Sequence, residues 1–189
     1  GLEDYGKPNN YVARQIERWS RQYRASETDN IEAMNNLIEW LPKNIPSDDA
    51  TSIVHGDFRL DNMIYKNNEV IGVLDWELST LGHPVADFSY HCLTWRTEPI
   101  FYDHPKLKEL GVPNEIEYRD MYSESTGQDL SENWEYYMAF NIFKVAAICQ
   151  GILGRVRDGT AANKHAEDRG MKVYPLSEGA WSIVENNFK

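Results

Sequence analysis

The chain has 189 residues, of which 41% are hydrophobic, 12% aromatic and 26% charged, the make-up of a soluble globular domain with a real core and not of a disordered segment. A formal charge of −11, with nineteen Lys and Arg scattered among thirty carboxylates, leaves no basic stripe and sets nucleic acid aside as a partner. No run approaches the ~20 apolar residues that cross a bilayer, so no membrane partner is expected either. In chain order, Val12, Ile16, Trp19 and Tyr23 recur at spacings of three and four and predict a helix from Pro8 to about Arg24, with Asn9 or Asn10 as its cap. Ile31, Met34, Ile38 and Leu41 predict a second helix, capped by Thr28 or Asp29 and stopped by the Pro42–Pro46 segment.

The text then changes character. "TSIVH" is short and β-branched, and "NMIYK" and "EVIGVLDW" flank the turn "KNNE", which predicts a strand, a loop and a hairpin. "GHPVADFSYHCLTWR" follows as a turn and a helix starting near Pro84, with a polar, aromatic connection to about Val112. "PNEIEYRDMYSESTG" is a further helix ending at Gly127, and the run from Leu130 to Gly159 is a long apolar helix expected at the centre of the domain. Ala161–Tyr174 is polar and expected to be mobile, and Ser177–Phe188 closes the chain as a helix. The expectation is one domain over residues 1–189, α+β and mainly helical, without the strand–helix alternation of a dinucleotide fold. Cys92 and Cys149 lie in apolar helical patterns without metal-ligand spacing, so they read as buried hydrophobes of a reducing compartment, and the cytoplasm is the expected location.

The chemistry concentrates in "IVHGDFRLDNMIYKNNEVIGVLDWE", Ile53 to Glu77. Asp57 follows the first strand in a loop, exposed enough to act and fixed enough to aim. Asn62 comes five residues later and Asp75 thirteen after that, and in a hairpin the start of one strand lies beside the end of its partner. Asn62 and Asp75 are therefore expected to be neighbours, with Asp57 close by. An amide oxygen beside a carboxylate is a hard-oxygen pair suited to Mg²⁺, which takes its other ligands from water and substrate phosphates.

"HGDFRLDN" fits the catalytic-loop pattern H-x-D-x-x-x-x-N, and its His-Gly-Asp form resembles the aminoglycoside phosphotransferase and choline kinase family of the protein-kinase-like fold. "LSTLGHPVADFSY" resembles the G-x-P-x-x-D segment of the same family. The stretch from "YGKPNNYVARQIERWSRQYRAS" to "LDWELSTLGHPVADFSYHCLTW" looks like the phosphotransferase domains found alone in bacteria and fused to some acyl-CoA dehydrogenases. The resemblance implies the C-terminal lobe of that fold, ATP as phosphoryl donor and a small-molecule hydroxyl as acceptor. Carried over residue by residue, it makes Asp57 the base, Asn62 and Asp75 the ligands of Mg²⁺ and of the nucleotide phosphates it bridges, and Arg59 a contact of the transferred phosphate. His55 supports the loop and Asp87 buttresses it from a helix. "LDWE" departs from the Asp-Phe-Gly of protein kinases, as the small-molecule branch commonly does.

Neither a Gly-rich phosphate loop nor the strand Lys of the nucleotide lobe occurs in this sequence. The N-terminal lobe is expected outside these residues, which alone should bind nucleotide poorly. Any one of Asp57, Asn62 and Asp75 alone would read as turn chemistry; the three at family spacing point to a site. That all three are present also counts against the other reading, a non-catalytic binding module. His83, His91 and His104 have no partner at metal-ligand spacing and read as structural or solvent-exposed. Trp134, Tyr136, Tyr137 and Phe140 read as core, with Glu132, Glu135 and Tyr136 as weak candidates for the acceptor pocket. The acceptor itself stays open among aminoglycosides, which an acidic surface would attract, hydroxyacyl-CoA or hydroxy acids, choline-like compounds and sugar alcohols.

Overall fold

The structure, a computed structural model, describes residues 5–7, 9–47, 50–101, 109–130 and 132–189. Helix α1 (Tyr11–Ala25) buries Val12, Ile16, Trp19 and Tyr23, and α2 (Glu32–Trp40) buries Ala33, Met34 and Leu37, the faces the 3.6-residue period requires. The N-terminal cap of α1 is Asn10, as expected, whereas that of α2 differs. Asn10 is left-handed and makes no capping bond with its side chain; the Arg14 guanidinium instead donates to the carbonyls of Lys7 and Asn9. At α2 the cap is Ile31, because the Thr28 hydroxyl accepts from Gln150 and the Asp29 carboxylate from Tyr174.

Strand β1 (Ser52–Val54) leads into the motif loop, and β2 (Met63–Lys66) and β3 (Glu69–Val73) form the hairpin. Asn67 and Asn68 both take positive φ (53° and 62°) between the paired Lys66 and Glu69, the two-residue turn whose twist suits a hairpin. A bulge shifts the register between Ile64 and Tyr65. The sequence reading missed β4 (Thr80–Gly82), which pairs antiparallel with β1, Ser52 opposite Gly82. Three residues are too few to carry a period.

The remaining chain is helical: α3 (Pro84–His91), α4 (Thr94–Phe101), α5 (Glu115–Thr126), α6 (Trp134–Arg157), α7 (Ala166–Gly170) and α8 (Val173–Phe188). Pro84 opens α3, an Asn114–Glu117 capping box opens α5, and left-handed Gly127 closes it. Helix α6 is the central element: α1, α3, α7 and α8 pack around it, and Tyr136 to Phe143 is buried without a break. At 24 residues α6 has the length and apolar character of a membrane span, contrary to the expectation from sequence, yet 72% of its most apolar window is buried inside the protein, as in a core helix. Part of the segment expected to be mobile is packed: Ala166, Gly170 and Val173 are buried, while residues 162–165 are exposed. Gly170 of α7 is buried against α6, where a Cβ would stand 2.9 Å from the Leu153 backbone, and α8 begins at Val173, four residues before the expected start at Ser177. The architecture is α+β and mainly helical, as expected, with the hairpin and motif loop on one side of a single core cluster.

Candidate active site

The motif loop is held from three directions. The Asp87 carboxylate on α3 accepts the backbone N–H of His55 on Oδ2 and of Gly56 on Oδ1, each at 2.9 Å. The His55 ring accepts the Asp57 N–H on Nδ1 (3.3 Å) and donates from Nε2 to the Leu74 carbonyl (2.8 Å). That single tautomer ties the loop to the segment that carries Asp75. Gly56 sits at φ +85°, and a Cβ there would lie 2.8 Å from the Leu78 carbonyl oxygen, so the position needs glycine on two counts. From α3, His91 donates through Nδ1 to the Phe58 carbonyl (2.9 Å) and accepts from Tyr118 on Nε2 (3.1 Å). Burial pushes the His91 ring below its usual range, so the neutral form is the one this geometry selects.

Between these supports the sequence-predicted polar residues come together. Asn62 ends a 3-10 turn (Leu60–Asn62) just before β2. Its Nδ2 donates to the Asp57 carbonyl (2.9 Å) and to Asp57 Oδ2 (3.1 Å), which leaves Oδ1 without a hydrogen-bond partner among the described residues. The Leu74 N–H donates to the Asn62 carbonyl at 2.8 Å, placing Asp75 directly beyond the Asn62 pairing. Contrary to its expected place at the end of a strand, Asp75 lies two residues past β3 and stands in the left-handed region (φ 63°, ψ 52°), a costly conformation for a residue with a Cβ. It is exposed and makes no capping bond with its side chain. Among the described residues no group of three His, Cys, Asp or Glu could hold a metal by itself. An amide oxygen and a carboxylate, both uncommitted, do fit Mg²⁺, an ion that draws its remaining ligands from phosphate and water. Arg59 is exposed and ion-paired with Asp61, so its guanidinium is engaged within the loop.

The weak acceptor-pocket candidates fall elsewhere. Tyr136 is buried, and its hydroxyl donates to the Leu41 carbonyl at 2.9 Å. Glu135 is held by Arg96 of α4 at 2.9 Å, in a network with Glu115 of α5, and Glu132 is exposed. His83 is buried and stacks on Tyr137; His104 lies outside the described residues. Sequence reasoning missed two residues beside Asp57. Burial and then the nearby Asp57 charge push the Tyr90 hydroxyl up to about 12, and the Lys144 ammonium lies 4.0 Å from the Tyr90 ring centroid. The signal for Lys144 was legible, since it is the one charged residue between Tyr136 and Gly154 of a buried helix.

Comparison with known proteins agrees with this geometry. Residues 1–129 match the model of the phosphotransferase enzyme family. The chain belongs to that family. A solved structure from Ralstonia eutropha JMP134, described as a candidate aminoglycoside phosphotransferase, superposes with a TM-score of 0.91 at 48% identity, over 98% of this chain and 59% of that one. Mouse acyl-CoA dehydrogenase family member 10 is 43% identical over 97% of the chain, human acyl-CoA dehydrogenase family member 11 is 36% identical over 99%, and the Arabidopsis probable acyl-CoA dehydrogenase IBR3 is 37% identical over 97%. The chain spans 18% of the first of these relatives and 25% of the other two.

In this phosphotransferase domain a cavity of about 720 Å³ opens beside the motif loop. Its lining includes Phe58, Arg59 and Asp61 of the loop, Tyr90 of α3, Val145 and Ile148 of α6 and Arg169 of α7. Ile152 and Arg169 also line a second cavity of about 490 Å³, which adds Arg155 and Lys172. In a protein acidic overall, the two cavities together carry Arg59, Arg155, Arg169 and Lys172 against Asp61 and Asp168.

Proposed function

We propose that the domain transfers the γ-phosphoryl group of ATP to a hydroxyl of a small molecule, with Asp57 as base. The observation that carries this reading is Asn62, whose amide clamps Asp57 through Nδ2 while its backbone carbonyl accepts the Leu74 N–H next to Asp75. In the reaction the acceptor oxygen forms a bond to the γ-phosphorus, the bond from that phosphorus to the bridging oxygen of ADP breaks, and the hydroxyl proton passes to the Asp57 carboxylate. Asn62 and Asp75 would hold Mg²⁺, which when bound neutralises charge on the nucleotide phosphates. Arg59 would exchange Asp61 for the transferred phosphate. Asp87, His55 and His91 orient the loop without touching substrate.

The cavity lining, with Arg59 and Arg169 against the single carboxylate Asp61, favours an anionic acceptor with an apolar segment over a polycation: its apolar part would lie along Val145 and Ile148 and its anionic group near Arg169. The adenine-gripping parts of a kinase-like fold are not read in these residues, so a nucleotide lobe elsewhere in the protein completes the site. The exposed apolar side chains of Ile53, Ile64, Val70, Ile71 and Trp76 supply the surface for it, and the longer solved relative supports its existence. The reading is tested by an ATP-consumption screen of the full-length protein over aminoglycosides, choline-like compounds, sugar alcohols, hydroxy acids and hydroxyacyl-CoAs. Turnover with an anionic acceptor supports it; ATP consumption with none of them refutes it.

A further inference from the structure

The two cavities meet along α6. Ile152 and Arg169 line both of them, and Val145, Ile148, Ile152 and Arg155 follow one another at spacings of three, four and three, which puts them on one face of the helix. From Val145 to Arg155 that face runs about 15 Å. Val145, Ile148 and Ile152 are half-buried on a helix otherwise mostly buried, and all three line the larger cavity. They form an apolar wall that ends in the cation Arg155. Gly170 lets α7 come close to the Leu153 backbone, and its neighbour Arg169 borders both cavities.

The smaller cavity gathers Arg155, Arg169 and Lys172 against one carboxylate, Asp168. Its two arginines differ from every other in the chain. Arg21, Arg24, Arg59, Arg96 and Arg157 hold carboxylates, Arg14 and Arg119 donate to backbone carbonyls, and Arg18 lies over the Trp19 ring. Among the described residues, Arg155 and Arg169 have no ion pair, no side-chain hydrogen bond and no ring contact, and Lys172 has no ion pair either. Carboxylates outnumber basic side chains thirty to nineteen in this chain, so the lack of partners is a property of the place and not of supply. Like charges gathered in one cavity repel one another, and an anion bound among them turns that repulsion into attraction.

We propose that the smaller cavity is an anion subsite that holds a phosphate group of the acceptor. This rests on the phosphotransferase reading above and extends it. The acceptor is an elongated hydroxy compound, with its apolar middle along Val145, Ile148 and Ile152 and its phosphate at Arg155, Arg169 and Lys172. A phosphate fits these groups better than a carboxylate does. Three cations against the single Asp168 are balanced by a dianion, and a planar guanidinium pairs with two phosphate oxygens at once. The length of the α6 face selects against compact acceptors: a hydroxy acid of a few carbons would fill the larger cavity and leave Arg155 and Lys172 unpaired.

The first arm of the test needs no turnover and treats the full-length protein with pyridoxal 5′-phosphate. Its phosphate would sit with the two guanidinium groups while its aldehyde condenses with the Lys172 amine, forming an imine and releasing water. Borohydride then reduces the imine to a stable secondary amine, which peptide mass spectrometry locates. Lys172 should be labelled about tenfold or more over the exposed Lys66 of the hairpin. Pyridoxal, which lacks the phosphate, should show no such preference, inorganic pyrophosphate should protect Lys172, and Arg155→Ala and Arg169→Ala should each weaken its labelling. Equal labelling by pyridoxal overturns the subsite, as does a wild-type protein with no preference for Lys172 or a preference that survives both alanine variants.

The second arm uses the acceptor found in the screen. Arg155→Glu and Lys172→Glu should each raise its KM by about tenfold or more, with kcat and the KM for ATP changed far less. Labelling lost in Arg155→Glu while the acceptor KM stays put marks a site for a free anion and overturns the assignment to the acceptor. A best acceptor that carries no phosphate overturns it as well. Phosphate-dependent labelling of Lys172 in a protein that phosphorylates no acceptor leaves the anion subsite standing and refutes the phosphotransferase reading instead.

Discussion

Replacing Asp87 by Asn isolates the clamp on the motif loop. The carboxylate accepts two backbone N–H groups at 2.9 Å, from the buried residues His55 and Gly56. An Asn side chain keeps the shape but offers one oxygen, so one of the two donors must face an NH₂ group. Leaving a buried donor unpaired costs about 1–3 kcal/mol, and losing the charge on the bond that remains costs about 1 kcal/mol more. The loop should therefore open more easily by about 2–4 kcal/mol, which corresponds to roughly 30- to 1,000-fold faster amide hydrogen exchange at Gly56. Exchange mass spectrometry on the full-length protein reads this directly, because peptides over β1 and the loop report the change and peptides over α6 serve as the internal reference. Phosphotransfer should fall in parallel through kcat. If Gly56 exchanges within about threefold of wild type in Asp87→Asn, the clamp is not what holds the loop, and the account of the site's rigidity fails.

Gly56→Ala should be more damaging than its size suggests, since a left-handed alanine costs about 1–2 kcal/mol before its Cβ meets the Leu78 carbonyl at 2.8 Å; an unchanged melting temperature would contradict this. The His91 ring gives a pH dependence with a definite sign. Its folded value lies below the usual one of about 6.5, so the stability it contributes is present above that pH and is lost as pH falls below it toward the folded value. The melting temperature between pH 7.5 and 5 should drop more steeply in wild type than in His91→Gln, and parallel curves would contradict it. Arg169→Glu should raise KM for an anionic acceptor by about tenfold or more while leaving KM for ATP alone; equal changes in both would remove Arg169 from the acceptor end of the cavity.

Much of this could be read before any coordinates, because the informative features were local. The spacing of His55, Asp57 and Asn62 sets a loop, Pro84 and Gly127 mark helix ends by their own backbone preferences, and the α6 run declares a core. The juxtaposition of Asn62 and Asp75 was also legible, because a hairpin converts a sequence separation into a contact. What escaped was decided by tertiary partners. Thr28 and Asp29 look like caps, but Gln150 and Tyr174 take their side chains. The 161–174 segment looks like a linker, but Ala166 and Gly170 bring α7 onto α6. Glu135 and Tyr136 looked available to a ligand, yet Arg96 and the Leu41 carbonyl claim them. His91 read as merely structural, and only the fold aims it at the Phe58 carbonyl. Tyr90 and Lys144 feel the Asp57 charge from helices more than thirty and eighty residues away in sequence, a distance no motif spans.

The central claim, that Asp57 takes the acceptor's proton, has one decisive measurement. Asp57→Asn preserves volume and leaves the backbone carbonyl that Asn62 binds, so the loop should keep its shape. With full-length protein, Mg-ATP and the best acceptor from the screen, transfer of ³²P from the γ-position should fall by about 10²- to 10⁴-fold, with ATP binding retained. Transfer within about threefold of wild type would contradict the account, whatever the other residues of the loop prove to do.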